Sequence, residues 1–305
     1  MDSRFVIVGI RPIKGAPVKK KTWYEGKPLA AMVLLAAICL GCASCGLFIP
    51  GYLALQSARL GVPADRFVGF MDLANVSAAP GHTFWFGTDT MGRDIFSMIW
   101  EGGQISLFIG VGGAAISTCI AILFGTVSAL SPKWLDGLLM RLTEILLSVP
   151  SLLTIILLQA VLGDANVYSI TFVIGIAGWM SMAKVVRTEV RQIKDSGYVI
   201  AARCMGGGLF HILLRHLAPN FIASIMFMVV MDIRSAIIAE STLSFMGIGL
   251  PLETISWGSM LSLAERALLG GGWWMILIPG GFLVVTLMCV TEMGEYLRGR
   301  MGERT

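Results

Sequence analysis

The chain has 305 residues, of which 56% are hydrophobic and 14% charged, with a formal net charge of +4 and a mean hydropathy of +0.79. A soluble globular domain carries about twice that share of charge, so the composition excludes one and points to an all-α integral membrane protein. The small positive excess is no footprint for nucleic acid, because its placement along the chain follows membrane topology instead.

In chain order, residues 1–28 form a charged tail ahead of the first apolar run, Leu29 to Phe48. That run has the length of a bilayer crossing, about 20 residues. The tail is too long and too charged for a signal peptide, so the run reads as a retained helix. Residues 49–104 form a segment on the far side that includes an interfacial helix, with Trp85 and Trp100 placed at headgroup depth. Five further spans lie within a core of residues 105–294: Ile105 to Ala129, Gly137 to Leu162, Tyr168 to Val186, Phe221 to Phe245 and Trp274 to Val290. Arg141 and Glu144 stand one turn apart near the start of the third span, within reach of each other. A loop over 187–220 separates the fourth and fifth spans, and residues 295–305 close the chain.

Lys and Arg fix the orientation, since positive loops are retained in the cytoplasm. With the N-terminus inside, the tail holds seven, Lys133 one, the stretch from Lys184 to Asn220 six and the C-terminus three, seventeen in all. Four remain outside: Arg59, Arg66, Arg93 and Arg266. The split predicts that both termini are cytoplasmic.

The chain lacks the pieces of self-contained chemistry. It has no phosphate-cradling glycine loop with its Lys and Ser/Thr, no Gly-x-Ser-x-Gly elbow and no Cys-pair or His-rich metal signature. The three histidines, His82, His211 and His216, fall in loops on opposite sides of the membrane. Cys39, Cys42 and Cys45 recur every three residues within the first span, a spacing that could gather them on a metal, but no His or carboxylate joins them there; small polarizable side chains in helix packing explain them as well. Cys119 also lies in a span, so the cysteines do not form an extracellular disulfide framework. We therefore read the chain as a non-enzyme that binds no cofactor or metal.

The loop stretch from Tyr198 to Asn220 has its own pattern: a short helix over Tyr198 to Met205, a glycine interruption at Gly206 to Gly208, a second helical run with Phe210, Leu213, Leu214 and Leu217 apolar, and Pro219 closing it. Two short helices about a glycine corner make an apolar knob, which either packs on its own bundle or fits a partner's cleft.

Three stretches carry a resemblance. "AARCMGGGLFHILLRHLAPN", with Ala201, Ala202, Gly206 and Pro219 at the characteristic spacing, resembles the EAA loop of ATP-binding-cassette importer permeases, although Ile200 stands where the usual glutamate falls. "FGTDTMGRDIFSMIWEGGQISLFIG" and "AIIAESTLSFMGIGLPLETISWGSML" are similar to segments of the C-type permeases of dipeptide, oligopeptide and nickel importers. In the first of these two, Gly87, Asp89, Gly92, Arg93 and Asp94 also suit a capped turn into a helix on the residues alone.

The resemblance covers most of the chain from about His82 onward. It implies a type I importer permease with six transmembrane helices in a bacterial inner membrane. This subunit would pair with a homologous permease, with ATP and Mg held by two cytoplasmic ATPase subunits and a solute-binding protein delivering cargo outside. It makes Tyr198, Ala201, Ala202, Arg203, Gly206, Phe210 and Pro219 the ATPase-coupling residues. Short peptides are the implied cargo, with nickel or a metal chelate as the alternative, and a passive channel or membrane scaffold as the reading from a different class.

Within the spans, Asp232, Arg234 and Glu240 stand out, because ionisable groups at membrane depth are costly and face a cavity or a partner. They either pair with one another or another chain's helix, or line the translocation path. Asp232 and Arg234, two residues apart, do not share a helix face. Met226, Met228 and Met231 suit a permissive cavity, though lipid-facing packing accounts for them more simply.

Overall fold

A computed structural model describes residues 28–60, 75–194, 196–204, 218–251, 253–265 and 271–302. These residues form nine helices: α1 (Leu29–Leu60), α2 (Ile95–Leu130), α3 (Lys133–Leu147), α4 (Ser151–Leu162), α5 (Val167–Lys194), α6 (Gly197–Cys204), α7 (Ala218–Phe245), α8 (Trp257–Glu265) and α9 (Trp274–Gly302). Among the described residues there is no strand, only an isolated bridge between Thr88 and Asp94.

Leu29–Tyr52 of α1, all of α2, all of α5 and Trp274–Gly299 of α9 are each long and apolar enough to cross a membrane. α7 has the length, 28 residues, and holds the three ionisable residues of the expected fifth span. The single span expected over Gly137 to Leu162 is instead broken: α3 and α4 meet at 90° and qualify only as a pair. Pro150 is the physical reason, because it has no amide to donate and its ring drives Val149 out of the helical region. Ser148 closes α3, its amide donating to the Glu144 and Ile145 carbonyls. Pro219, expected to close the preceding segment, stands in the first turn of α7, where a missing amide costs nothing.

α2 is continuous over 36 residues, so the expected interfacial helix and second span are one rod of about 54 Å at ~1.5 Å per residue. Its central partner is α5. Small residues let the two backbones approach, as membrane helices require where no hydrophobic drive separates protein from lipid. A Cβ on Gly175 would fall 2.6 Å from that of Ile116, and one on Gly125 2.6 Å from the Ala183 carbonyl oxygen. α7 packs against both: a Cβ on Gly110 would strike Ile237. α1 lies outside this core, joined to it by the Gln104 amide, which donates to the Cys42 carbonyl at 2.7 Å, and by Trp100, half-buried among Phe48, Phe96 and Phe282. Trp100 thus packs between helices, while Trp85 is exposed. Cys42 and Cys45 are buried in this contact and Cys39 is exposed.

Candidate functional site: a methionine-lined cavity beside a broken helix

The α3–α4 break opens a cavity of about 600 Å³ between itself, α5 and α7. Leu146, Leu147, Val149 and Pro150 form one wall, and Gly178, Met180, Ser181 and Met182 of α5 another. The third wall is a stripe on α7, with Met228, Met231, Asp232, Ser235, Ala236 and Ala239 at the spacing of one helix face. Met228 and Met231 therefore line this space, whereas Met226 is exposed at 42%.

The three ionisable residues of α7 occupy three separate surroundings. Asp232 and the Ser117 hydroxyl both press on Gly178, where a Cβ would stand 3.3 Å from Asp232 Oδ1 and 3.1 Å from Ser117 Oγ. Asp232 Oδ2 is buried with no hydrogen-bond partner among the described residues. Arg234 turns to α9, its Nη1 donating to Thr291 Oγ1 at 3.3 Å. Glu240 is fully buried, and three hydroxyls donate to it: Ser106 at 3.1 Å, Ser244 at 3.0 Å and Ser241 at 3.4 Å. Ser106 in turn accepts the Trp257 amide at 3.2 Å, so Glu240 ties α2, α7 and α8 together. Among the described residues, none of the three pairs with another.

Two further clusters mark the two ends of α2. At its start, Asp89 accepts the Met91 and Arg93 amides at 2.9 and 2.7 Å and pairs with Arg93 Nε at 2.7 Å. Gly87 and Gly92, at φ +76° and +79°, supply the left-handed corners that this turn needs. Asp94 caps α2, accepting from the Ser97 amide and hydroxyl at 2.9 and 2.8 Å. Burial pushes the Asp94 carboxyl above the ordinary carboxylate range, while those two donors pull it back. The turn docks on α9, because Trp274 Nε1 donates to the Thr88 carbonyl at 3.2 Å. The five residues grouped by sequence thus form one capped turn.

The cluster at the other end of α2 was not singled out from the sequence. Asp136 of α3 accepts from Arg187 Nε at 2.5 Å, Arg187 Nη2 at 2.6 Å, Arg191 Nη2 at 2.7 Å and Ser128 Oγ at 2.7 Å. It clamps α2, α3 and α5 where α6 docks, and α6 is anchored there by Val199, fully buried against Ala129, Val186, Val190 and Ile225. Ile200, in the place of the usual glutamate, is 51% exposed beside it. Tyr198, Ala201, Ala202 and Arg203 lie on α6 and Pro219 on α7; Gly206, Phe210, His211 and His216 fall outside the described residues, as does the tail before residue 28.

The sequence pattern of the family described as "Binding-protein-dependent transport system inner membrane component" matches residues 121–302. The oligopeptide transport system permease protein OppC of Bacillus subtilis is 37% identical over 74% of this chain and 74% of its own length. The dipeptide transport system permease protein DppC of the same organism is 34% identical over 84% and 80%, and OppC of Escherichia coli 36% over 74% and 75%. Among solved structures, an inward-facing MetNI methionine ABC transporter aligns with a TM-score of 0.55 at 13% identity, covering 66% of this chain and 95% of the other, a likeness of fold. Family pattern, relatives and helical architecture agree, and the chain belongs to the binding-protein-dependent transport system inner membrane components as a multi-pass inner membrane protein.

Proposed function

We propose that this chain is one transmembrane half of an ATP-driven importer of short peptides, with the α3–α4–α5–α7 cavity as part of the path. It pairs with a homologous permease, takes cargo from an external solute-binding protein, and rests on two ATPase subunits that hold ATP and Mg. Both termini and the Asp136 end of the bundle face the cytoplasm, in keeping with the seventeen-to-four placement of Lys and Arg. The observation that carries the peptide reading is that relatives at 34 to 37% identity bear oligopeptide and dipeptide transport names.

A strain lacking this chain is expected to lose energy-dependent uptake of a labelled tripeptide and regain it when the chain is restored. Nickel uptake that tracks the chain while peptide uptake does not would replace the cargo. Uptake that survives ATP depletion would replace the mechanism.

The stretch around α6 is the coupling element in this reading, since a chain without phosphate-binding machinery needs a contact through which ATPase motion reaches its spans. Ala202→Trp is expected to overpack that contact by roughly 1–3 kcal/mol if it behaves like a protein interior. Membrane abundance should hold, because the spans are untouched, while ATPase retained after detergent extraction falls. Normal retention and normal uptake together would reduce this stretch to a surface loop.

A further inference from the structure

We infer that Asp232 is the ligand-binding charge of the cavity, a carboxylate positioned to accept a primary ammonium group of the cargo. The inference rests on the peptide-import reading and adds to it the chemical group that is recognised.

The cavity volume of about 600 Å³ lies within the ~300–1,000 Å³ range of small-molecule sites. Its described lining is mostly aliphatic and thioether, with hydroxyls at Ser151, Ser181 and Ser235, and Asp232 is the one ionisable group among those residues. The buried Oδ2 of Asp232 has no hydrogen-bond partner among the described residues, and a buried carboxylate oxygen without a donor is unfavourable until one is supplied.

Cations of the surrounding helices are engaged elsewhere: Arg234 with Thr291 on α9, Arg187 and Arg191 with Asp136, Lys184 within 3.9 Å of Glu144, and Arg298 over the ring of Phe227 at 5.4 Å. None of them lines the cavity. A lone negative charge in a mostly apolar space selects a cation, and the space leaves room for a compact one carrying several donors. A primary ammonium, with three N–H groups on one atom, fits that description.

Peptides offer this group in two places, the amino terminus, protonated below a pKa of about 7.7–8.0, and the lysine side chain. The remaining wall suits the varied side chains that a peptide carries beyond its charged group. Met180, Met182, Met228 and Met231 can repack around groups of different shape. One fixed charge and an adaptable wall give a site that reads one end of the cargo and tolerates the rest.

The test uses the whole transporter complex extracted in detergent without its binding protein, so that upstream selection of cargo does not enter. Ser235→Cys, one turn from Asp232 in the lining, reports occupancy by its rate of maleimide labelling at that position, read by mass spectrometry. Three probes compete with the label: trialanine amide, N-acetyl-trialanine amide, and an N-acetyl-Ala-Lys-Ala amide.

Trialanine amide should protect the cysteine at a concentration at least tenfold below its acetylated form. That gap should close to within twofold when Asp232→Asn is added and persist with Asp232→Glu. Protection by the acetylated lysine peptide at the lower concentration would show that any primary ammonium serves. Protection by trialanine amide alone would restrict recognition to the amino terminus. Equal protection by the free and acetylated trialanines, or a gap that survives Asp232→Asn, overturns the role of Asp232 and leaves the cavity in the peptide path. Absence of protection by every probe removes the cavity itself from that path, an outcome distinct from a strain that keeps tripeptide uptake without the chain.

Discussion

Glu240 and Asp232 stand on one helix about 12 Å apart along its axis, at ~1.5 Å per residue, and are both carboxylates within the membrane-crossing bundle. Glu240 is enclosed by Ser106, Ser241 and Ser244 and has no exposed surface. Asp232 packs beside Gly178 and lines the cavity, and its buried Oδ2 has no hydrogen-bond partner among the described residues. The same residue class on one membrane-crossing helix therefore serves two purposes, and the donors around each carboxylate separate them. A carboxylate whose acceptors are all filled locks helices together, and one with an acceptor to spare is available to a ligand.

Removing Glu240 is the sharpest way to press on this contrast. Glu240→Ala leaves a cavity and takes the acceptor from the Ser106 and Ser244 hydroxyls, at a cost of roughly 3–5 kcal/mol. The purified complex should lose its monodisperse peak in size-exclusion chromatography at a clearly lower incubation temperature. Asp232→Asn, which keeps shape and relieves a buried charge, should leave that temperature within a degree or two of the parent. If Asp232→Asn destabilises as much as Glu240→Ala, Asp232 is a structural residue and the contrast fails.

Asp136 lies between these extremes. It is as well satisfied as Glu240, but by two arginines whose side chains are 22% and 39% exposed and can rehydrate. Asp136→Ala should cost roughly 1–3 kcal/mol, the scale of losing a hydrogen bond to a charged group. The unpaired Arg187 would carry part of that loss, so adding Arg187→Leu to Asp136→Ala should recover some of it in the same heating series. A double variant less stable than Asp136→Ala would mean that Arg187 has another partner of equal weight.

This gradation was only partly legible in the sequence. Apolar length marked α1, α2, α5 and α9, and the start of α6 emerged within one residue because Ser196 and Gly197 punctuate it. Asp232 and Glu240 were visible as costly charges, since any ionisable residue in an apolar run stands out. Their different roles were not, because Ser106 lies 134 residues from Glu240 and Ser117 is similarly remote from Asp232. The break at Pro150 had a local signal that the unbroken apolarity of Gly137 to Leu162 overrode. The Asp136 clamp left a fainter one: Arg187 and Arg191 are four residues apart and share a helix face, but their partner lies 51 and 55 residues away.

The weakest effect belongs to the ion pair that the sequence showed most plainly. Arg141 and Glu144 meet at 3.2 Å one turn apart, yet their side chains are 83% and 49% exposed. At such exposure the attraction is largely offset by hydration and by the entropy of holding two long side chains, leaving under ~0.5 kcal/mol. Glu144 also has Lys184 at 3.9 Å as a second partner, so losing Arg141 does not strand it. Arg141→Ala should therefore melt with the parent and transport with it. A shift comparable to that of Asp136→Ala would show that Arg141 is covered in the assembled complex, by the partner permease or by lipid headgroups. Repeating the measurement at high salt separates the two: a contact to headgroups weakens as the ~10 Å screening length at 0.1 M shrinks toward ~3 Å at 1 M, whereas one desolvated against a protein surface persists.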